Sequence, residues 1–540
     1  MKELFRIHPL FHDRIFQSED GRYYNHRDDS RQAQIERMNP SAEEWEEKKK
    51  RLLRPYSYTA DETLYHIGLY QTPIGKYMFF DISHVIGDGE TIRILFDDLN
   101  RLYLKSPVRK SDYTFYEYIL DEQSRIESGA QKQDVADIMN RMEGYEIRRS
   151  ILAKKDSYDL STAHNAVIRG GFMRVDKKSL QDFCAQQGIS ENALFLSAFS
   201  YTVRLFADLD DVVVTSTHNG RTDSRWMRLM GAVYTRYLFR STRVPHQTVE
   251  EMLKGNANQI MQAMKCRTSA LHADEMYFQY QGDLLRIPQI GGEKAEPIRL
   301  QLDSRPFQLM LHSSKAEYSY ELRFWENRFD REMLQVFLTA MEDIIIAIPK
   351  ETSARKLQDY LSVSLFPKHL SMDAASFNAA LGQRIVDSAD EHIQIKPYVL
   401  DISGKKKPFG AWGELYVLNQ RVNGNGKTIQ SMYTPGILHD TGIVARITPD
   451  RKVEALYQAG RTVKMESPVG RSYVNLFEIE QTLKAVPGVE DAAASIVYGE
   501  DNLFRIKAVL TVSEPLEESA VKEFVAKTMG EDAVPAVIVC

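Results

Sequence analysis

His84 stands in Asp81-Ile82-Ser83-His84-Val85-Ile86-Gly87-Asp88-Gly89, with a carboxylate four residues on and a glycine on either side of that carboxylate. An imidazole in such a loop can accept a proton near neutral pH. Asp88 can fix the loop through a buried ion pair or by capping a helix. Glycines here let the backbone come close to a ligand or take dihedrals closed to other residues. The plainer reading of an isolated His-x-x-x-Asp-Gly is a strand–turn–helix with a solvated histidine.

The elements that must hold these residues can be read on both sides. Thr63 to Tyr70 and Lys76 to Ile82 flank Gln71-Thr72-Pro73-Ile74-Gly75, whose Pro and Gly predict a hairpin. Beyond Gly89, Ile92, Leu95, Phe96, Leu99 and Leu102 fall on one helical face. Upstream, residues 1–16 read as a helix end and an extended piece, and residues 40–55 as a solvated helix. Helix continues through much of 112–150.

The chain has 540 residues, enough for about three or four units. Apolar residues make up 43% and charged residues 27%, the balance of a globular protein. A formal net charge of −6 without a basic block argues against nucleic-acid binding. Cys184, Cys266 and Cys540 are an odd count without metal-like spacing, which suits a reducing cytoplasm. No apolar run approaches the roughly 20 residues of a membrane helix, and the N-terminus has no signal-peptide core. His66, His164, His218, His312 and His439 are scattered singly and read as surface or satisfied core residues. No spacing suggests a metal.

A second αβ unit begins near Ala166. Asn165 to Val175 reads as a strand, Ser179 to Gln187 as a helix stopped by Gly188, and Ile189-Ser190-Glu191-Asn192 opens a further helix. Asp211 to Thr217 is β-branched and ends in His218-Asn219-Gly220-Arg221. Met230 to Arg240, Tyr277 to Gln281, Phe307 to His312 and Tyr318 to Trp325 follow as strands. Phe329-Asp330-Arg331 opens an amphipathic helix that Pro349 ends.

Ser83-His84-Val85-Ile86-Gly87-Asp88-Gly89 resembles the H-H-x-x-x-D-G signature of the condensation domains of nonribosomal peptide synthetases, which have a chloramphenicol-acetyltransferase-like fold. His8-Pro9-Leu10-Phe11 resembles the family's R-H-P-x-L-R segment. Asn219-Gly220-Arg221 with Met230-Gly231-Ala232-Val233 resembles its A-G-R…V-G-F-F-V-N-T stretch. The resemblance covers about residues 1–350. It implies an α/β (α+β) fold of two lobes, 1–160 and 161–350, in a V-shaped pseudo-dimer with a tunnel between them. It implies amide formation between an upstream acyl thioester and a downstream amine, each on the phosphopantetheine arm of a carrier protein. No bound cofactor, metal, nucleic acid or membrane is implied. His84 would accept the amine proton or hold the amine, and the Gly89 N–H would stabilise developing negative charge. Asp88 would pair with Arg221 across the lobes, and a carboxylate so held is a poor base. Ser83 replaces the first His and can hydrogen-bond within the loop. The family has a strand and helices ahead of the position of Met1, so the first lobe is expected to expose a sheet edge. Competing readings are a catalytically impaired scaffold, an epimerising relative and a free-standing acyltransferase on soluble thioesters.

Residues 351–394 read as a linker, 395–455 as a β-rich segment and 456–540 as a small αβ lobe. Tyr398-Val399-Leu400-Asp401, Pro408 to Val417 and Val474 to Glu480 resemble adenylation domains, with Asn475 and Glu478 as a capping box. Ile443 occupies the place of that family's ribose-binding carboxylate, and Val463 or Lys464 that of the hinge Asp after Gly460-Arg461. The phosphate loop and the catalytic Lys are expected to be missing, so the resemblance implies a remnant without adenylation activity. Gly424-Asn425-Gly426-Lys427-Thr428 ends like a phosphate loop, but Arg421 stands where its first Gly belongs, so it reads as a hairpin turn.

Overall fold

The computed structural model describes residues 1–540 except 20, 31, 59–61, 109–112, 144–145, 148–163, 267–275, 285–288, 295–304, 369, 383, 387–391, 421, 425, 459–461, 468–469, 499–503, 530–532 and 540. Arg421, Asn425, Gly460, Arg461 and Cys540, named above, lie outside the described residues, as do the side chains of residues 456–475, 477 and 478.

In the first lobe, Tyr65–Thr72 pairs antiparallel with Gly75–Ile82 through a tight turn, and parallel with the short strand Glu36–Met38. Gly75–Ile82 has no strand on its other edge among the described residues. The helix Gly89–Tyr103 buries Ile94, Leu95 and Leu99 against Leu4, Phe5, Leu10, Phe11, Tyr65 and Ile67. Helix Ala42–Lys50, expected to be solvated, is anchored by one residue. Trp45 is 1% exposed and stacks on Tyr77 at 4.5 Å. A single aromatic among charges gives too weak a periodicity to reveal that anchor.

The second lobe is a six-stranded sheet in the order Asn165–Gly171, Tyr318–Trp325, Phe307–Ser313, Tyr277–Gly282, Asp211–His218, Thr235–Thr242. Tyr277–Gly282 runs parallel to both its neighbours. Helices Glu191–Ala207 and Arg331–Ala347 share one core with the sheet, where Phe195, Phe199, Phe278, Phe307 and Phe337 are at most 1% exposed. Burying such a side chain contributes roughly 1.5–3 kcal/mol each. Alternation along Asp211–His218 gives Val212 and Val214 to that core and turns Thr215 and Thr217 to the opposite face. The expected strand from Met230 starts only at Thr235, because residues 219–234 leave the sheet and enter the first lobe.

Residues 351–394 put Leu357, Leu361 and Leu365 into the second lobe's core, and Ala374, Phe377 and Leu381 into the next. That next core belongs to an antiparallel sheet built from Pro397–Leu400, Gly413–Leu418, Thr428–Gln430, Ile437–Ile447 and Val453–Gln458. It is fastened to the second lobe at the C-terminal end of helix Glu191–Ala207. Lys407 Nζ donates to the Leu205 carbonyl and to Asp208 Oδ1, both at 2.7 Å, and Trp412 N donates to the Phe206 carbonyl at 2.8 Å. A cation there satisfies otherwise orphaned carbonyls at the negative end of the helix. The last unit has helices Leu476–Lys484 and Glu518–Met529 against strands Val489–Tyr498 and Phe504–Val512.

Candidate active site between the lobes

The site is built from the turn that follows strand Gly75–Ile82. Ser83 is 3% exposed, its N–H donates to the Leu64 carbonyl at 2.9 Å, and its carbonyl accepts from Ile86 N at 3.1 Å. Its hydroxyl accepts from Val85 N at 3.4 Å and lies 3.3 Å from Tyr58 Oη. The turn is pinned from beneath, and His84 stands exposed on top of it. His84 Nδ1 lies 3.1 Å from the Gly87 carbonyl. A carbonyl only accepts, so the ring proton sits on Nδ1 and the lone pair is left on Nε2, the form a general base requires.

Asp88 is 4% exposed and caps helix Gly89–Tyr103. Its Oδ1 accepts from Thr91 N at 2.9 Å, Thr91 Oγ1 at 3.0 Å and Arg221 Nη2 at 3.0 Å. Its Oδ2 accepts from Arg221 Nη1 at 2.8 Å and Val233 N at 3.1 Å. With both oxygens so occupied, Asp88 has no lone pair to offer a substrate proton. Arg221 also donates to the carbonyls of Leu229 and Asn219, at 2.7 Å and 2.9 Å. The structure thus brings Asp88 and Arg221 together in a bidentate, buried contact between lobes.

The loop 219–234 carries the contact and inserts Met230 into the first lobe's core. Two glycines allow its close approach. At Gly220, with φ +70°, an added Cβ would lie 1.9 Å from the Val233 carbonyl oxygen. At Gly231 it would lie 2.1 Å from the Phe115 ring. A second clamp was not visible in the sequence. Arg228 Nη2 donates to both oxygens of Asp98, at 2.7 Å and 2.8 Å, and His8 Nε2 lies 3.1 Å from Asp98 Oδ2. Burial pushes the Asp98 pKa up, but His8 and Arg228 more than offset this and hold it below the ordinary value. Asp98 falls within the amphipathic pattern of its helix, and no local signal separates it from a solvated residue.

Gly89 opens the helix, and its N–H has no acceptor among the described residues. It faces the second lobe closely, since a Cβ at Gly89 would lie 3.1 Å from Leu284. Across the gap, the Tyr234 ring lies 5.8 Å from the His84 ring, and Tyr277 Oη is 2.7 Å from Thr217 Oγ1. Thr217 and Tyr277 sit on strands of the second sheet, and Tyr234 ends the loop that leads into one of them. His218 is different. Its Nδ1 accepts from Gly220 N at 3.0 Å, and burial pulls its pKa down to about 4, so it is neutral and holds the loop entry. His66 stacks on Tyr56 at 4.6 Å. In the tail, Ile443 is 2% exposed within the sheet's apolar core. Among the described residues no helix is long and apolar enough to cross a membrane, and no three His, Cys, Asp or Glu side chains are grouped to hold a metal.

Two lobes joined across a His-x-x-x-Asp-Gly turn define a chloramphenicol-acetyltransferase-like fold. The condensation domain family matches residues 1–272, and the chain belongs to that family. Surfactin synthase subunit 3 of Bacillus subtilis is 30% identical over 148 residues, which are 26% of this chain and 11% of that protein. The chain spans 2% to 12% of the length of the curated relatives it matches. A four-domain nonribosomal peptide synthetase solved with AMP and glycine shares the fold with a TM-score of 0.73 at 11% identity, over 99% of this chain and 67% of that one. The condensation domain of the monacolin K polyketide synthase has a TM-score of 0.54 at 14% identity, over 65% of this chain and 88% of that one.

Proposed function

We propose that residues 1–350 join an acyl group to an amine, both presented as thioesters on the phosphopantetheine arms of carrier proteins. The observation that carries this reading is His84, exposed in the gap between the lobes with Nδ1 committed to the Gly87 carbonyl and Nε2 free to take a proton. The amine nitrogen attacks the thioester carbon and forms the C–N bond. His84 Nε2 takes the amine proton. Negative charge gathers on the former carbonyl oxygen, where the Gly89 N–H at the helix start can receive it. The C–S bond then breaks, and His84 returns its proton to the departing sulfur. Asp88 and Arg221 hold the turn and the two lobes in register. Ser83, held by Val85 N and Tyr58, keeps the turn closed where the family signature has a second histidine.

The test is single-turnover transfer between two loaded carrier proteins. His84→Ala is expected to lose at least about 10²-fold in rate, the loss of a general base. A variant with nearly the original rate would favour a non-catalytic scaffold.

Residues 395–540 are read as a remnant of an adenylation domain without activating power. Support comes from the match of nearly the whole chain to a four-domain synthetase. Ile443 supports it too, since an aliphatic side chain sealed in a core cannot accept hydrogen bonds from a ribose.

A further inference from the structure

The face of the second sheet that leads away from Tyr234 and His84 carries two arginines without an ion-pair partner among the described residues. Arg236 is the direct cross-strand partner of Thr217, so both side chains stand on the sheet face away from the helices. Tyr277 lies on that face as well, its hydroxyl 2.7 Å from Thr217 Oγ1. The Arg305 guanidinium lies 4.6 Å over the Tyr277 ring. Arg236 and Arg305 are both half-buried, and neither forms an ion pair with a described residue. Tyr234, whose ring is 5.8 Å from His84, stands two residues before Arg236 and one before the strand Thr235–Thr242 begins, so it links the His84 turn to this face of the sheet. A guanidinium stays charged at any working pH, and holding two of them half out of water without a counter-ion among the described residues is costly. Most other arginines on this sheet are matched. Arg240 pairs with Asp211, and Arg169 and Arg323 share Glu321.

We propose that Arg236 and Arg305, with the hydroxyls of Thr217 and Tyr277, form an oxyanion subsite on the second-lobe sheet face that Tyr234 links to the His84 turn. It would select a substrate bearing a carboxylate, or grip the phosphate of the arm that brings the substrate. The inference rests on the reading that this gap holds the reacting thioesters. Guanidinium and hydroxyl donors are the set that binds carboxylate and phosphate oxygens.

The experiment is calorimetric titration of the full chain with two pairs of soluble probes. One pair is the N-acetylcysteamine thioesters of glutaric and pentanoic acid, which differ by a terminal carboxylate. The other is phosphopantetheine and pantetheine. The anionic member of at least one pair is expected to bind about tenfold tighter or better, as charge-assisted hydrogen bonds warrant. The double variant Arg236→Gln, Arg305→Gln should remove that preference and leave binding of the uncharged members unchanged. A preference confined to the first pair assigns the subsite to the substrate's carboxylate, and one confined to the second assigns it to the arm. Equal binding within both pairs, or a preference that survives the double variant, would overturn the proposal. Turnover plays no part in this readout. A chain that forms amides without the preference loses only the subsite, and a chain with the preference that forms no amide loses only the condensation reading.

Discussion

Asp88 and Ile443 lie in two different units of one chain, and each is almost fully buried, at 4% and 2% exposure. Both carboxylate oxygens of Asp88 are satisfied, because the surroundings supply five donors, two from Arg221. At Ile443 the surroundings are apolar, with Leu415, Val417 and Ala445 in the same core. A carboxylate there would have to be buried without partners, at a cost of several kcal/mol. The lesson is that a buried charge persists where the fold itself satisfies it. The lobe interface does so, since the partner of Asp88 is a structural arginine of the same chain. In the tail no such partner faces position 443 among the described residues, and an aliphatic side chain fills it as ordinary core.

The comparison can be broken most directly at the clamp. Arg221→Ala or Asp88→Ala should each destabilise by about 3–5 kcal/mol in urea unfolding, because either leaves a buried charge alone. The double variant should lose clearly less than the sum. Additive losses would mean that the pair is not the unit described. Next comes His84→Ala, whose rate loss should leave the unfolding midpoint nearly unchanged, because among the described residues the exposed ring hydrogen-bonds only within its own turn.

The second clamp should be weaker. Arg228 is 27% exposed, and Asp98 keeps His8 when Arg228 is removed. Arg228→Ala should cost about 1–3 kcal/mol. Because the Asp98 pKa is lowered on folding, its stabilisation is complete above the ordinary value of 3.8 and is lost as pH falls through the lower folded-state value. The variant should therefore lose less stability on acidification than the parent, as urea midpoints against pH would reveal. The smallest expected signal is in the tail. Amino-acid-dependent exchange of pyrophosphate into ATP should stay at background, and Ile443→Asp should lower stability without raising exchange. Exchange above background with any common amino acid would remove the contrast between the two units.

The sequence by itself determined the local pieces. The Pro-Gly turn, the apolar strand and the i, i+3, i+4 pattern after Gly89 each rest on neighbours a few residues apart, so they placed the hairpin, the His84 turn and the motif helix. The order of motifs was also legible, and with it the family and the pairing of Asp88 with Arg221. Tertiary structure decided what depends on contacts between distant residues. Residues 219–234 read as a partial strand, yet they leave the sheet because Met230 and two arginines find partners in the first lobe. Residues 40–55 read as a solvated helix, and only the facing Tyr70 and Tyr77 make Trp45 its anchor. Thr217, Tyr277 and Arg236 share one face of the second sheet, and Tyr234 and Arg305 reach that neighbourhood from the loops leading into its strands. No spacing along the chain encodes which face of a sheet looks across a gap.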